Sequence, residues 1–276
     1  MQAKEEIESG ARFAFGANWA RFLTVLDEQR ILEAEASLKE MLGVTDLQGR
    51  RFLDIGSGSG LFSLAARRLG ATVHSFDFDA QSVACTRELK TRFYSSDDAW
   101  RIEQGSILDA RYVQALGLFD IVYSWGVLHH TGALWLALEN AIGRVADERG
   151  KLFIAIYNDQ GWKSHLWWLL KALYNRLPRG LKGIYALTIM AAVNTAVILK
   201  YTLKLRPMTA IAPLLASRRE RGMSARHDMT DWIGGFPFEC ASFDTLLAYL
   251  HARGFELLNG KRTTTHGCNE LALRRR

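Results

Sequence analysis

The sequence predicts an α/β protein built on a doubly wound, seven-stranded sheet, with a helical segment before the sheet and a helical insertion after its fifth strand. The first observation is a regular alternation from about residue 50, where short apolar runs of β type are separated by amphipathic helical stretches. This pattern is typical of a parallel sheet covered by helices. The second observation is the return of strand-like sequence after residue 241, which supplies two closing strands.

Residues 49–157 are predicted to form the core of the domain. The stretches between its five strands carry apolar residues three and four positions apart, as in Leu61, Leu64 and Ala65, so each is expected to pack one face on the sheet. Residues 241–276 add a helix and the closing strands. The seven expected strands are Arg51 to Ile55, Thr72 to Asp77, Trp100 to Gly105, Phe119 to Trp125, Lys151 to Tyr157, Phe255 to Leu258 and Asn269 to Leu273.

Two segments lie outside this alternation. Residues 1–48 predict a helical cap, whose aromatic residues around Trp19 are expected to close over a bound ligand or to pack on the insertion. Residues 158–240 predict a helical, aromatic insertion that acts as a lid over an acceptor. Its first helix carries an apolar stripe at helical spacing, formed by Trp162, Leu166, Leu169, Leu173 and Leu177.

The insertion also contains an uncharged run, residues 184–199. A transmembrane span is not expected, because this run has 16 residues, short of the roughly 20 that cross a bilayer, and Thr and Asn interrupt it. The basic flanks and the aromatic residues instead allow a peripheral contact with an anionic membrane surface. A small helical subdomain with its own core is the alternative.

The composition is that of an ordinary globular protein, with 276 residues, of which 49% are hydrophobic and 23% charged. The net charge of +6 is spread thinly, and no basic segment is interleaved with aromatic residues, so a nucleic-acid partner is not expected. The N-terminus has no apolar stretch of the secretory type. A cytosolic protein is therefore expected. Cys85, Cys240 and Cys268 are widely spaced, which predicts reduced thiols and no thiolate zinc site. A metal-assisted transfer with Asp and His ligands is the alternative, but no tight ligand spacing supports it, so no bound metal is expected.

A glycine-rich loop, Gly56-Ser57-Gly58-Ser59-Gly60, follows the first strand and leads directly into a helix. Glycines let the backbone turn sharply and approach a ligand closely. One acid, Asp54, precedes this loop. A second acid, Asp77, ends the second strand 21 positions after Gly56, where a carboxylate can accept hydrogen bonds from two ribose hydroxyls. Helix capping is the alternative role for Asp77 or for its neighbour Asp79.

An NAD-type site is the competing interpretation of this loop. The third glycine of such a site would stand one position later, where this chain has Leu61. An acid before the loop would also repel a pyrophosphate. Asp54 can instead hold the ammonium group of the methionine part of S-adenosylmethionine (SAM), directly or through water, so the residues favour SAM.

Four segments, residues 52–60, 73–77, 105–109 and 119–130, resemble the successive motifs of class I SAM-dependent methyltransferases. The resemblance covers about residues 50–157, and its style is closest to small-molecule enzymes of the ubiquinone and menaquinone methyltransferase type. It implies a Rossmann-like fold, SAM as the methyl donor and a small-molecule acceptor. A nucleic-acid or protein methyltransferase and a non-catalytic SAM-binding protein are the alternatives.

The resemblance also implies residue roles: Asp77 would hold the ribose, and Phe78 would cover one face of the adenine. Ser106 and Ile107 would lie at the adenine rim. Many relatives carry an acid in the place of Ser106, and Asp109 either substitutes for it or caps the next helix. The methionine end would be lined by Asp54, Gly56, Ser57, Gly58, Gly60, Ser124 and Trp125.

Candidates for the acceptor site follow strands four and five, because ligands bind at the carboxyl ends of parallel strands. Methyl transfer requires alignment of the acceptor and exclusion of water, and an oxygen or acidic carbon acceptor also needs a base. His130 and Tyr157 are candidates there, although such a Leu-His-His turn often positions backbone instead. A second candidate is His227, with Asp228 or Asp231 to orient it, in a loop whose alternative is plain solvation. Residues 266–270 are expected to set a sheet edge or to line the rim.

Overall fold

The structure is a computed structural model that describes residues 5–6, 9–147, 149–203, 233–265 and 267–276. It contains a seven-stranded sheet, which confirms the predicted α/β class. In chain order, the strands are β1 Arg51–Ile55, β2 Thr72–Asp77, β3 Trp100–Gln104, β4 Ile121–Trp125, β5 Lys151–Tyr157, β6 Phe255–Lys261 and β7 Cys268–Arg275.

The strand order is β3-β2-β1-β4-β5-β7-β6. The first five strands are parallel, whereas β7 runs antiparallel to both β5 and β6. The order reverses direction at β1, which lies between β2 and β4. Ligands of such sheets bind at this reversal, beyond the carboxyl ends of the strands. The start of β7 joins the same edge, because Cys268 pairs with Tyr157 at the end of β5.

Four strands have bounds that differ from the sequence prediction, and one of them is β7, which runs from Cys268 to Arg275 and not from Asn269 to Leu273. Strand β3 ends at Gln104, and Gly105 only donates to the Asp77 carbonyl oxygen at 3.0 Å. Strand β4 begins at Ile121, because Phe119 pairs instead with Val145 in an isolated bridge. Strand β6 continues to Lys261 through an irregularity after Leu257.

The described helices surround this sheet. Aspartate or serine side chains cap four of them at the N-terminus: Asp27, Asp79, Asp109 and Ser242 accept from backbone N–H groups two or three residues further along the chain. The helices are α1 Phe15–Leu23, α2 Glu28–Leu42, α3 Leu61–Arg68, α4 Ala80–Tyr94, α5 Ala110–Ala115, α6 Leu134–Ile142, α7 Trp162–Arg176, α8 Arg179–Leu203 and α9 Phe243–His251, with a 3₁₀ turn at Leu128–His130.

Alternate residues of each strand supply two cores, one on each face of the sheet. Leu53 and Val122 pack with α6 and α9 on one face. Phe52 and Phe153 pack with α2, α3 and α4 on the other. Phe52 also stacks on Tyr123, with ring centroids 5.7 Å apart. Both faces of the sheet are thus covered, as the doubly wound prediction requires.

The apolar stripe of α7 points to solvent, whereas the opposite, more polar face is buried. Trp162 is 71% exposed, but Lys171 is 0% exposed and its Nζ lies 5.3 Å from the centre of the Tyr157 ring. Asn175 Nδ2 donates to the Gly234 carbonyl oxygen at 2.7 Å. Polar contacts therefore help to hold α7 on the rest of the domain, together with the buried Tyr174, whereas the residues of its apolar stripe are left outside.

The cysteines Cys85, Cys240 and Cys268 form no disulfide. Among the helices that the structure describes, none is both long and apolar enough to cross a bilayer.

Replacing Leu273 by alanine should lower the free energy of unfolding by about 2–5 kcal/mol, because the side chain is fully buried on the central antiparallel strand β7. Urea unfolding measures this change. Leu258→Ala is the matched control, since Leu258 lies on the edge strand β6 and is partly exposed; its cost should stay below about 1 kcal/mol. Equal costs in the two variants would contradict the placement of β7 inside the sheet.

Candidate functional site

A cavity of about 580 Å³ opens at the carboxyl edge of the sheet, where the strand order reverses. The loops after β1, β2 and β4 form one side, and the N-terminal segment before and within α1 forms another. Most of the predicted site residues line this cavity: Trp19, Asp54, Gly56, Ser57, Gly58, Asp77, Phe78, Ser106, Ile107, Trp125, His130 and Tyr157.

The glycine loop adopts a conformation that side chains would prevent. Gly56, Gly58 and Gly60 all have positive φ, at 77°, 56° and 83°. A Cβ on Gly56 would lie 2.4 Å from a methyl group of Val127, and one on Gly58 would lie 2.9 Å from the Trp19 indole. The loop therefore presents backbone to the cavity while neighbouring side chains pack against it.

Asp77 joins the loop to the second strand. Its Oδ2 accepts from the Gly58 N–H at 3.0 Å, and its Oδ1 accepts from the Asp79 N–H at 2.9 Å. Burial raises the pKa of Asp77 to about 6, against the opposing effect of these two hydrogen bonds. Asp79 itself caps α4 and also accepts from the Gly16 N–H at 2.9 Å, so capping belongs to Asp79.

Asp54 is at the end of a buried chain of hydrogen bonds. The Trp100 indole N–H donates to Ser75 Oγ at 2.9 Å, Ser75 and Ser63 are joined at 2.7 Å, and Ser63 donates to Asp54 Oδ2. The Trp100 indole N–H can only donate, so the Ser75 hydroxyl donates to Ser63 and the Ser63 hydroxyl donates to the Asp54 carboxylate. Burial raises the pKa of Asp54 to about 7, the Ser63 hydrogen bond opposes this, and the charge of Asp77 adds to it.

Two predicted ligand residues lie behind the cavity wall and do not line it. Ser124 is fully buried, and its Oγ donates to the Ile55 carbonyl oxygen at 3.1 Å, so its side chain ties β4 to the end of β1. Gly60 is the N-cap of α3 and packs on Thr86. Asp109 accepts from the Arg111 and Tyr112 N–H groups and so caps α5, and it does not line the cavity. Both observations favour helix capping over adenine binding as its role.

His130 and its neighbour His129 are buried and held by backbone groups. His130 Nδ1 lies 2.6 Å from the Pro237 carbonyl oxygen, and because a carbonyl only accepts, Nδ1 carries the hydrogen. Burial, with the charge of Lys171 nearby, lowers the pKa of His130 to about 3. His129 Nδ1 accepts from the Tyr157 N–H at 3.3 Å, and burial lowers its pKa well below the usual value. Both rings are therefore neutral, and His130 is a weak base.

Arg12 is a cavity residue that the sequence reasoning missed. Its guanidinium lies over the Phe78 ring, 4.7 Å from the ring centre, and Nη1 donates to the His130 carbonyl oxygen at 2.7 Å. The N-terminal segment thereby connects the predicted adenine side of the cavity with the histidine turn. No local pattern marks Arg12, because its contacts are 66 and 118 positions away in the chain.

Other missed residues line the cavity from β4 and from the β6–β7 hairpin. Tyr123 lies two positions before Trp125 on β4, so strand alternation alone places both on one face, and this signal was available. No sequence pattern of this kind marks the other three lining residues, Lys261, Arg262 and Thr263. The expectation that residues 266–270 line the rim fits the described part of that stretch, since Gly267, Cys268 and Glu270 line the cavity.

His227, Asp228 and Asp231 lie outside the described residues, so their role as base and orienting acids stays a prediction. Across the described ranges, no three His, Cys, Asp or Glu side chains are grouped closely enough to hold a metal ion. Among the side chains of α7 and α8 that the structure describes, none lines the cavity. The lid role of the insertion also stays a prediction.

Residues 26–259 match a protein family described as "Methyltransferase domain". The match covers most of the chain. The chain belongs to this methyltransferase family. The family predicted from the glycine loop and the strand motifs is therefore confirmed.

Similar curated proteins include a ribosomal protein L11 methyltransferase from Bacillus cereus, 28% identical over 111 residues, which are 35% of each chain. Another is a ubiquinone biosynthesis O-methyltransferase from Nitrobacter winogradskyi, 30% identical over 136 residues, which are 49% of each chain. The methyltransferase described here thus spans about a third to a half of the length of these relatives.

Solved structures with the same fold include magnesium protoporphyrin IX methyltransferase (ChlM) from Synechocystis PCC 6803 with bound SAH. Its TM-score is 0.52 at 14% identity, over 89% of this chain and 83% of that one. PKMT2 from Rickettsia typhi in complex with AdoHcy gives a TM-score of 0.59 at 12% identity, and the similarity covers 88% of this chain and 53% of that one. At such low identity these similarities establish the fold.

The raised pKa values of the two cavity carboxyl groups predict a pH dependence of stability. The pKa of an aspartate in the unfolded chain is about 4, whereas the pKa of Asp54 in the folded protein is about 7. The folded state thus binds more protons between these values, so the contribution of Asp54 to the free energy of unfolding falls as the pH rises through this window. Asp54→Asn should stabilise the protein relative to wild type by about 1–3 kcal/mol more at pH 8 than at pH 5.

Chemical denaturation at several pH values measures this difference. Asp98→Asn is the control, because Asp98 is exposed and outside the cavity. A pH profile of Asp54→Asn parallel to that of wild type would show that Asp54 is not held protonated.

Proposed function

We propose that this methyltransferase transfers a methyl group from SAM to a small-molecule acceptor bound in the same cavity. The observation that supports this most strongly is the convergence of the glycine loop with two carboxyl groups, the buried Asp54 and the half-buried Asp77, at the switch point of the sheet. SAM carries an ammonium and a sulfonium group, and two carboxyl groups complement positive charge. They would repel the pyrophosphate of NAD.

Asp77 has the lone pairs that a ribose requires. An ionised carboxylate offers about four acceptor sites. The N–H groups of Gly58 and Asp79 use one on each oxygen, so two remain for adjacent hydroxyl groups. The same two hydrogen bonds fix the carboxylate in place before a ligand arrives.

Asp54 suits the ammonium group at the other end of the donor. Ser63 holds Oδ2, which leaves Oδ1 as the acceptor for a cation. A bound cation favours the ionised carboxylate, so SAM binding is expected to lower the raised pKa of Asp54 and to release a proton.

The rest of the cavity supports a small, partly aromatic acceptor. Phe13, Phe15 and Tyr157 contribute aromatic surface, while Thr263 and Glu270 add polar groups from the hairpin side. The N-terminal segment covers this region, since the Phe13 N–H donates to the Phe236 carbonyl oxygen at 3.0 Å. Such a wall excludes water and aligns the acceptor, which is the main requirement of an in-line methyl transfer. A protein or nucleic-acid acceptor and a non-catalytic SAM-binding role are the competing proposals.

The low pKa of His130 makes it a positioning residue in this proposal. A group with a pKa of about 3 is a poor proton acceptor near neutral pH, and its Nδ1 is used on Pro237. His227, oriented by Asp228 or Asp231, is the base that we propose, and Tyr157 lines the cavity. A cytosolic location is proposed with the function.

Calorimetry with SAM, S-adenosylhomocysteine and NAD tests the donor site. Wild type should bind both adenosyl ligands and not NAD. Asp77→Asn should weaken SAM binding at least about tenfold, because the amide lacks the charge and half of the acceptor sites that the ribose needs. Asp109→Asn is the matched control, an N-cap aspartate outside the cavity, and should bind SAM as wild type does. NAD binding, or equal loss in both variants, would refute the donor assignment.

His227→Ala should keep SAM affinity within about twofold and lower turnover by about a hundredfold, the usual contribution of a general base. An acceptor screen of hydroxylated aromatics and lipid-like phenols precedes this measurement. His251→Ala, an exposed histidine on α9, is the control and should keep full turnover. An equal loss of SAM binding in His227→Ala would show that donor and acceptor sites are not divided as proposed, and absence of product with every acceptor would favour the non-catalytic alternative.

A further inference from the structure

The helical hairpin of α7 and α8 has an apolar outer surface. Leu187 is 72% exposed, and the other side chains of the surface are exposed by 45% or more. They recur at helical spacing along both helices, so they form one stripe on each. The members of this outer surface are Trp162, Leu166, Leu169, Leu173, Leu181, Ile184, Leu187 and Leu199.

Packing on the inner side fixes which face is outward. Phe13, Tyr174 and Ile233 form a small core under the hairpin, and Tyr185 and Met190 of α8 pack against it. The Tyr185 hydroxyl also donates to the Leu170 carbonyl oxygen of α7 at 3.1 Å. The two helices are thus joined to each other and to the domain through their inner faces.

The charge of this region is of one sign. Residues 160–203 contain six Lys or Arg residues and no Asp or Glu. The longer range 160–219 contains ten Lys or Arg residues and again no Asp or Glu. The whole chain has a net charge of +6, so the rest of the protein is net acidic. Lys163 lies beside Trp162, with Nζ 5.9 Å from the ring centre, and is exposed next to the apolar stripe.

We propose that the outer surface of the α7–α8 hairpin docks on an anionic lipid bilayer. Apolar and aromatic side chains on one face of a helix, bordered by basic residues, enter the boundary between headgroups and acyl chains, and each basic residue near the surface adds attraction to anionic lipid. A second copy of the chain fits this surface poorly. Two such faces bring only positive charges together, with no acidic group in residues 160–203 to pair with them.

Docking through this surface would place the acceptor side of the cavity near the bilayer. Lys171 of α7 lies against Tyr157 and Phe238, and Tyr157 lines the cavity. An acceptor dissolved in the membrane would then have a short route to the site. This last step rests on the proposed function, whereas docking itself does not.

Vesicle flotation with the full chain tests the docking. Wild type is mixed with vesicles of phosphatidylcholine alone or with about one-third phosphatidylserine, at about 0.1 M and 0.5 M salt, where screening differs strongly. We expect at least tenfold more co-flotation with the anionic vesicles at low salt, and a fall at high salt. The double variant Leu169→Glu with Leu187→Glu should lose at least tenfold of this binding.

The matched control is Leu118→Glu with Leu136→Glu, two exposed leucines outside the hairpin, which should float as wild type does. Thermal unfolding by circular dichroism verifies that all variants are folded, and SAM calorimetry follows the proposed function separately. Absence of wild-type flotation, equal binding to neutral vesicles, equal loss in the control, or a wild-type dimer that the hairpin variant abolishes would each overturn the proposal.

Discussion

The hydrogen bond from the Gly58 N–H to the Asp77 carboxylate is the contact on which the site depends. It joins the loop after β1 to the end of β2, at the place where the strand order reverses. Positive φ at the three loop glycines makes this approach possible, because a side chain at Gly56 or Gly58 would collide with Val127 or Trp19. The Gly58 N–H therefore ties the loop to the Asp77 carboxylate, which the Asp79 N–H also holds in place.

Burial of two carboxyl groups in one cavity has an energetic cost that a ligand can offset. Burial raises the pKa values of both Asp54 and Asp77, the charge of Asp77 further raises the pKa of Asp54, and the charge of Asp79 further raises the pKa of Asp77. A cation bound between the strands would oppose these shifts. The hydrogen bonds from Ser63 and Gly58 keep both groups oriented meanwhile, so the protein holds a site that is complementary to positive charge.

The insertion shows how an amphipathic pattern identifies a helix without identifying its partner. The stripe of Trp162, Leu166 and Leu169 correctly indicated helix α7, but these residues face solvent. The buried face is chosen by contacts made from elsewhere in the chain, such as that of Asn175 with Gly234. A stripe that leaves the protein surface apolar, in a segment (residues 160–203) whose charged residues are all basic, is suited to an interface with lipid.

The sequence by itself determined the sheet and the family, and it indicated most of the residues that line one side of the cavity. Strands β1, β2 and β5 have the predicted bounds, because apolar runs between turns are local signals. Asp54 and Asp77 are placed by the strands β1 and β2 to which they belong, and the loop glycines follow β1 directly. Only the tertiary structure decided the rest. Contacts between residues far apart in the chain place Arg12 over Phe78, put Ser124 behind the cavity wall and keep His130 neutral. A sequence pattern carries no record of such contacts.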